Sequence, residues 1–208
     1  LKGPSINVVT ACSTSLVAVA EAVQALREGA CDVAIAGAAS LTFPQQQPYH
    51  YQDGGIYSQD GHTRTFDENG SGTVFSDGCG VVVLKKLDYA VADQDNIYAV
   101  IKGAAINNDG AEKGSFSAPS IDGQKNVILS GLIDAGVKSE NIGYVEAHGT
   151  ATPLGDPIEV AALKEAFQVY TDKKNFCGIG SLKSNFGHLT AAAGVVGLIK
   201  TSLMLENA

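Results

Sequence analysis

Cys12 lies in Thr10-Ala11-Cys12-Ser13-Thr14-Ser15, where a short β-branched stretch gives way to an apolar pattern of helical period. A thiol at such a junction faces free backbone N–H groups and the positive end of a helix dipole, and both stabilise thiolate. Two readings stay open for this segment alone: an activated nucleophile, or a small buried residue beside capping hydroxyls. His148 sits in Val145-Glu146-Ala147-His148-Gly149-Thr150-Ala151-Thr152-Pro153-Leu154-Gly155-Asp156, at the C-terminal end of an apolar run. Open α/β sheets hold their ligands at that edge. Leu182-Lys183-Ser184-Asn185-Phe186-Gly187-His188 repeats the arrangement of strand, polar glycine-containing turn and helix. Two histidines and a lysine in two such turns suit a site that holds an acyl oxygen or a carboxylate. The alternative for each histidine is a hydrogen-bonded structural residue. Asp156-Pro157-Ile158-Glu159 reads first as a capping box, with acid at N-cap, proline at N1 and acid at N3.

Holding these residues requires alternating strands and helices. Residues 6–10 are short and β-branched and predict a strand. From 13 to 26 the apolar residues Leu16, Val19, Ala20 and Val23 predict a helix that closes near Gly29. Further strands are expected at 33–36, 81–84, 98–106, 142–146 and 176–181, and helices at 123–135, 157–167 and 191–205. This order predicts an α/β fold with a largely parallel sheet covered on both faces by helices. Residues 42–76, rich in glutamine, aromatic residues and glycine, predict a long surface excursion of the kind that carries function. Residues 1–208 read as one domain, with no linker, internal boundary or repeat.

Composition narrows the functional classes. With 22 acidic against 14 basic side chains the net charge is −8, which argues against a nucleic-acid binder and a basic membrane-surface protein. Charged residues are 17 % of the chain, against a usual fraction of about 25 %, which disfavours disorder and coiled coil. The four cysteines are too sparse for a disulfide scaffold, and Cys31, Cys79 and Cys177 read as small core hydrophobes. Four cysteines and four histidines this scattered give no metal cluster. The apolar run at 191–199 is far below the ~20 residues of a bilayer span, so a reduced, cytoplasmic protein is expected. Gly54-Gly55 and Gly70-Ser71-Gly72 lack the strand-to-helix setting of a phosphate loop.

Thr-Ala-Cys-Ser-Thr-Ser, then Glu-Ala-His-Gly-Thr-Ala-Thr with Gly-Asp-Pro-Ile-Glu, then Lys-Ser-Asn-Phe-Gly-His with Ala-Ala-Ala-Gly together resemble the β-ketoacyl synthases. The spacings of 136 residues from Cys12 to His148 and 40 on to His188 also fit. Thr65-Phe66-Asp67, Val82-Val83-Leu84-Lys85 and Asn108-Asp109-Gly110 extend the likeness over nearly the whole chain. Ser71-Gly72-Thr73-Val74-Phe75 and Ser117-Ala118-Pro119 resemble ketosynthase domains of modular polyketide synthases more than stand-alone fatty-acid enzymes.

The resemblance implies a thiolase-like layered fold and a decarboxylative Claisen condensation. By this likeness Cys12 takes an acyl group from an acyl carrier protein. A malonyl-type extender on a second carrier then loses CO₂ and attacks the acyl-Cys12 carbonyl. His148 and His188 match the family pair that assists decarboxylation and stabilises the enolate oxygen. Lys183 matches the motif lysine paired with a glutamate at the position of Glu159. Thr150 and Thr152 match threonines that bind the phosphopantetheine arm. No cofactor is implied beyond that arm, which belongs to the carrier. The implied partners are acyl carrier protein, a second copy in a homodimer paired through residues 1–10, and neighbouring synthase modules.

Ala151 stands where modular synthases commonly have glycine, and Thr73 where many fatty-acid enzymes have a pocket-lining aromatic. Family domains run to about twice this length, so the chain is expected to be a partial domain, inactive alone. A non-elongating acyl transferase, a Cys/His hydrolase and a non-catalytic piece of a dimeric assembly are the alternatives.

Overall fold

The computed structural model describes residues 2–111, 113 and 118–207; Leu1, Ser117 and Ala208 lie outside the described residues. In chain order the elements are α1 (Thr14–Glu28), β1 (Val33–Ser40), β2 (Gly78–Lys85), α2 (Leu87–Ala92), α3 (Ile121–Ala135), β3 (Tyr144–Glu146), α4 (Gly155–Gln168), β4 (Gly178–Gly180), α5 (Lys183–Phe186) and α6 (Ala193–Glu206). Three-residue 3₁₀ turns at Ala11–Ser13, Ser139–Asn141 and Thr190–Ala192 join them. The fold is α/β, with one antiparallel and one parallel strand pair. The chain forms two compact units, each assembled from separated stretches of sequence.

The first unit holds Leu1–Gln45, Ser76–Ile101 and Leu189–Ala208. Helix α1 buries Ser15, Val19, Val23 and Leu26, a stripe at helical spacing, and ends at Gly29 with φ 75°, a left-handed cap that glycine adopts without strain. Strands β1 and β2 pair antiparallel from Val33 opposite Lys85 to Ser40 opposite Gly78. Helix α6 packs on this ladder through Val195, which has no exposed surface and leaves no room for a side chain at Gly80. The Val195 N–H donates to the Ser15 hydroxyl at 3.0 Å. The opposite face carries exposed Ile35, Val81 and Val83, so within this unit the ladder is covered on one face, not both. Cys79 lies exposed in β2, contrary to the core role its small apolar neighbours suggested.

The second unit holds Gln46–Phe75 and Lys102–His188. Strands β3 and β4 are parallel, with Tyr144, Val145 and Glu146 opposite Gly178, Ile179 and Gly180. Helix α3 starts at Ser120, whose hydroxyl accepts from the Gly123 N–H, and stops at Gly136, again left-handed at φ 63°. Ala162 and Ala166 on α4 are fully buried. Two expected strands did not form ladders among the described residues. Residues 6–10 leave Ile6 and Val9 exposed, and residues 98–106 run without a ladder partner. The Ala104 N–H is donated to Asp134 of α3 at 2.8 Å, which spends an amide that a ladder would need. β-branched composition favours a pleated chain, but only pairing makes a strand.

Candidate active site

Cys12 belongs to the first unit, in the 3₁₀ turn that leads into α1. Neighbouring hydroxyls fix this elbow. Ser13 donates to the Thr10 carbonyl at 2.8 Å, Thr14 donates to the Ala11 carbonyl at 2.8 Å, and the Thr10 N–H donates to the Thr14 hydroxyl at 2.9 Å. Ala11, the residue before the thiol, has φ 55°. A non-glycine residue there stores on the order of 1–2 kcal/mol, the kind of strain that the surrounding bonds must hold in place. No feature of the sequence announces that strain. Cys12 is half-buried.

The other predicted residues come together in the second unit. His148 follows β3, and Thr150 and Thr152 lie in the loop that joins it to α4. Lys183 opens α5, and His188 follows it after Gly187, whose φ of 74° turns the chain. The His148 and His188 rings meet edge to face with centroids 5.4 Å apart. His188 has no exposed surface; its ring stacks on Phe75 at 5.3 Å and its backbone N–H donates to the Val74 carbonyl at 2.7 Å. The excursion predicted at 42–76 therefore ends by supplying the floor under a histidine. Phe75 gave no chemical signal in the sequence, since it is an apolar residue in an irregular stretch.

The peptide of His148 is held from both sides. Lys183, 7 % exposed, donates from Nζ to the His148 carbonyl at 2.6 Å and lies 3.4 Å from its Nδ1. The two oxygens of Glu159 accept the His148 and Gly149 N–H groups at 2.6 and 2.8 Å. Glu159 therefore acts on the loop and does not close a capping box. Asp156, expected at the N-cap, accepts from Ala151 at 3.0 Å and Phe66 at 2.7 Å instead, while the Thr152 hydroxyl accepts the Gly155 N–H at 3.1 Å. The carboxylates were drawn away from the helix end because two tight loops offered more orphan amides there. Thr150 and Thr152 face each other, hydroxyl to hydroxyl, at 3.1 Å. Ala151 has φ 59°, a backbone state that glycine takes more readily.

Burial of His188 and the Lys183 charge beside both rings favour the neutral imidazoles. His188 is lowered to about 4, by burial first and by Lys183 second. His148 is lowered to about 3 by burial, then Lys183, then His188. Part of His148 reaches solvent, which tempers the first cause; the two neighbours act regardless. Glu159 and Asp156 are raised, chiefly by burial, against the backbone N–H groups that favour their charged forms. A neutral imidazole donates one N–H and leaves its other nitrogen as an acceptor. Two such rings beside a buried ammonium can polarise a carbonyl oxygen and receive developing negative charge. Glu146, which the sequence marked only as part of a motif, accepts from the Tyr144 hydroxyl at 2.8 Å and from the Leu182 N–H at 2.6 Å.

Comparison with known proteins matches residues 1–90 to the family "Beta-ketoacyl synthase, N-terminal domain" and residues 98–208 to "Beta-ketoacyl synthase, C-terminal domain". A phenolphthiocerol/phthiocerol polyketide synthase of Mycobacterium tuberculosis is 50 % identical over all 208 residues, which span 14 % of that protein. Polyketide synthase PksN of Bacillus subtilis is 47 % identical over 205 residues, 99 % of this chain and 4 % of that protein. Among solved structures, ketosynthase twelve from the bacillaene polyketide synthase of Bacillus amyloliquefaciens superimposes with TM-score 0.97 at 44 % identity. It covers all of this chain and 37 % of its own. The ketosynthase from module 1 of the bacillaene synthase of Bacillus amyloliquefaciens FZB42 gives TM-score 0.92 at 47 % identity, over 99 % of this chain and 38 % of its own.

Proposed function

Because this chain belongs to the β-ketoacyl synthase family, we propose that it carries the reacting side chains of a ketosynthase that elongates acyl chains on acyl carrier protein. The observation that carries the reading is the edge-to-face pair of His148 and His188, ring centroids 5.4 Å apart, beside the Lys183 ammonium.

The reaction has two halves. In the first, Cys12 Sγ attacks a carrier-bound acyl thioester, a C–S bond forms and the carrier thiol leaves. A soft nucleophile suits a thioester, and the elbow before α1 favours thiolate. In the second, the C–CO₂ bond of a malonyl-type extender breaks and CO₂ leaves. The electron pair becomes an enolate whose oxygen is held by the N–H donors of His148 and His188. Its carbon attacks the acyl-Cys12 carbonyl, a C–C bond forms, and the Cys12 sulfur departs and takes up a proton. Lys183 and Glu159 orient the His148 peptide, and the Thr150 and Thr152 hydroxyls hydrogen-bond the phosphopantetheine arm. Retention of both histidines favours elongation over acyl transfer alone. The same reading makes the partners acyl carrier protein, a second copy and adjoining modules, all in the cytoplasm.

The test uses the full-length protein with acyl-carrier and radiolabelled malonyl-carrier substrates. Cys12→Ala is expected to abolish self-acylation and lower product formation by about 10⁴-fold or more. Condensation by this variant at the parent rate would overturn the assignment.

A further inference from the structure

We propose that Glu146 is a positioning residue that fixes the turn carrying Lys183, and through it His148, for the decarboxylation half of the reaction. The proposal rests on the condensation reading above. Its basis is a closed loop of bonds within the second unit. Glu146 Oε1 accepts the Leu182 N–H at 2.6 Å, and the next residue, Lys183, donates to the carbonyl of His148 at 2.6 Å. His148 is two residues along the chain from Glu146, which closes the ring. The second carboxylate oxygen, Oε2, accepts the Tyr144 hydroxyl at 2.8 Å, so the acceptor cannot swing away.

The strand register explains why this position holds the turn. Glu146 pairs with Gly180, and the Ala147 N–H donates to the Gly180 carbonyl at 2.8 Å, so β4 delivers Leu182 directly beside the end of β3. A Cβ on Gly180 would come within 2.6 Å of the Tyr144 hydroxyl, so the glycine leaves the space that this oxygen occupies. Beyond Leu182 the chain turns at once into α5, and the Leu182 carbonyl accepts from Asn185 and Phe186 at 2.9 and 3.0 Å. Glu146 thus grips the residue at which the strand becomes the Lys183 turn. A small displacement there moves the ammonium relative to His148, and misplacement of about 1 Å can cost on the order of 10²-fold in rate.

Reach, rather than charge, is what the ring requires. Glu146→Gln keeps an acceptor at the same distance from Leu182, whereas Glu146→Asp keeps the charge but withdraws the acceptor by one methylene. In the full-length protein we expect Glu146→Gln to release CO₂ from malonyl carrier within about 3-fold of the parent rate. Glu146→Asp is expected to lose about 10- to 100-fold in kcat, with self-acylation of Cys12 and the KM for malonyl carrier changed less than about 3-fold. Hydrogen exchange at the Leu182 amide is expected to quicken in Glu146→Asp and to stay slow in Glu146→Gln, whether or not the protein condenses. An active Asp variant beside an inactive Gln variant would overturn the proposal, as would parallel loss of acylation and decarboxylation. Failure of the parent protein itself to release CO₂ would instead strike at the condensation reading, while the exchange measurement still reports on the ring.

Discussion

Lys183 does two jobs with one ammonium: it ties down the His148 carbonyl and depresses the proton affinity of both imidazoles. Lys183→Met separates these effects from bulk, because the apolar stem survives. With the cation gone, His148 and His188 move up toward their ordinary value of 6.5 but stay below it, since burial is the larger cause for each. The acid limb of the pH profile for malonyl decarboxylation should therefore shift to higher pH, with kcat lower by about 10²–10³-fold. An acid limb that stays in place or moves down would contradict this account of the site. At the same scale, the sequence singles out Cys12, His148, His188 and Lys183 because each is a reactive side chain in a turn, and the structure brings His148, His188 and Lys183 together in the second unit. Glu159 and Asp156 were misread as helix caps, since one-dimensional spacing cannot show that the amides of His148, Gly149 and Ala151 lie closer than the helix end. Glu146 carried no signal of its own because its partner amide comes from residue 182, distant in sequence and just beyond the end of β4.

At the scale of elements, helices were more legible than strands, and the reason is locality. The period and the Gly29 and Gly136 caps of α1 and α3 are written within each segment. Residues 6–10 and 98–106 have strand composition, but pairing is decided elsewhere in the chain. Helix packing offers a test in which two known effects oppose each other. Gly194 lies in the first turn of α6, where alanine would favour the helix by about 1 kcal/mol. An added Cβ would lie 2.5 Å from Leu16 Cγ, a branch point that cannot swing aside as a chain tip can. Overpacking of that kind costs about 1–3 kcal/mol, so Gly194→Ala should destabilise despite its better propensity. A higher unfolding midpoint in denaturant for this variant would show that α1 and α6 can shift apart.

For the whole molecule, buried His188 sets a response to acid. The folded value of His188, about 4, lies below its ordinary 6.5. Between these values the unfolded chain binds a proton that the folded chain refuses. The stability is complete above 6.5 and is lost as pH falls toward 4, at no more than about 1.4 kcal/mol per pH unit. His148 acts in the same direction, less strongly because of its solvated edge. Glu159 and Asp156, both raised, act in the opposite sense nearer the carboxylate range. The urea midpoint should therefore be lower at about pH 5.5 than at about pH 7.5, and equal midpoints would refute the linkage. The two compact units bear on a different matter. The chain passes between them after residues 45, 75, 101 and 188, so neither unit is a continuous stretch. The seam between the two family segments, at 90–98, falls inside the first unit. Recombining two synthases at that seam would give a hybrid whose first unit mixes both parents along the β2–α6 contact, between Gly80 and Val195, while α3 through α5 arrive from one parent intact.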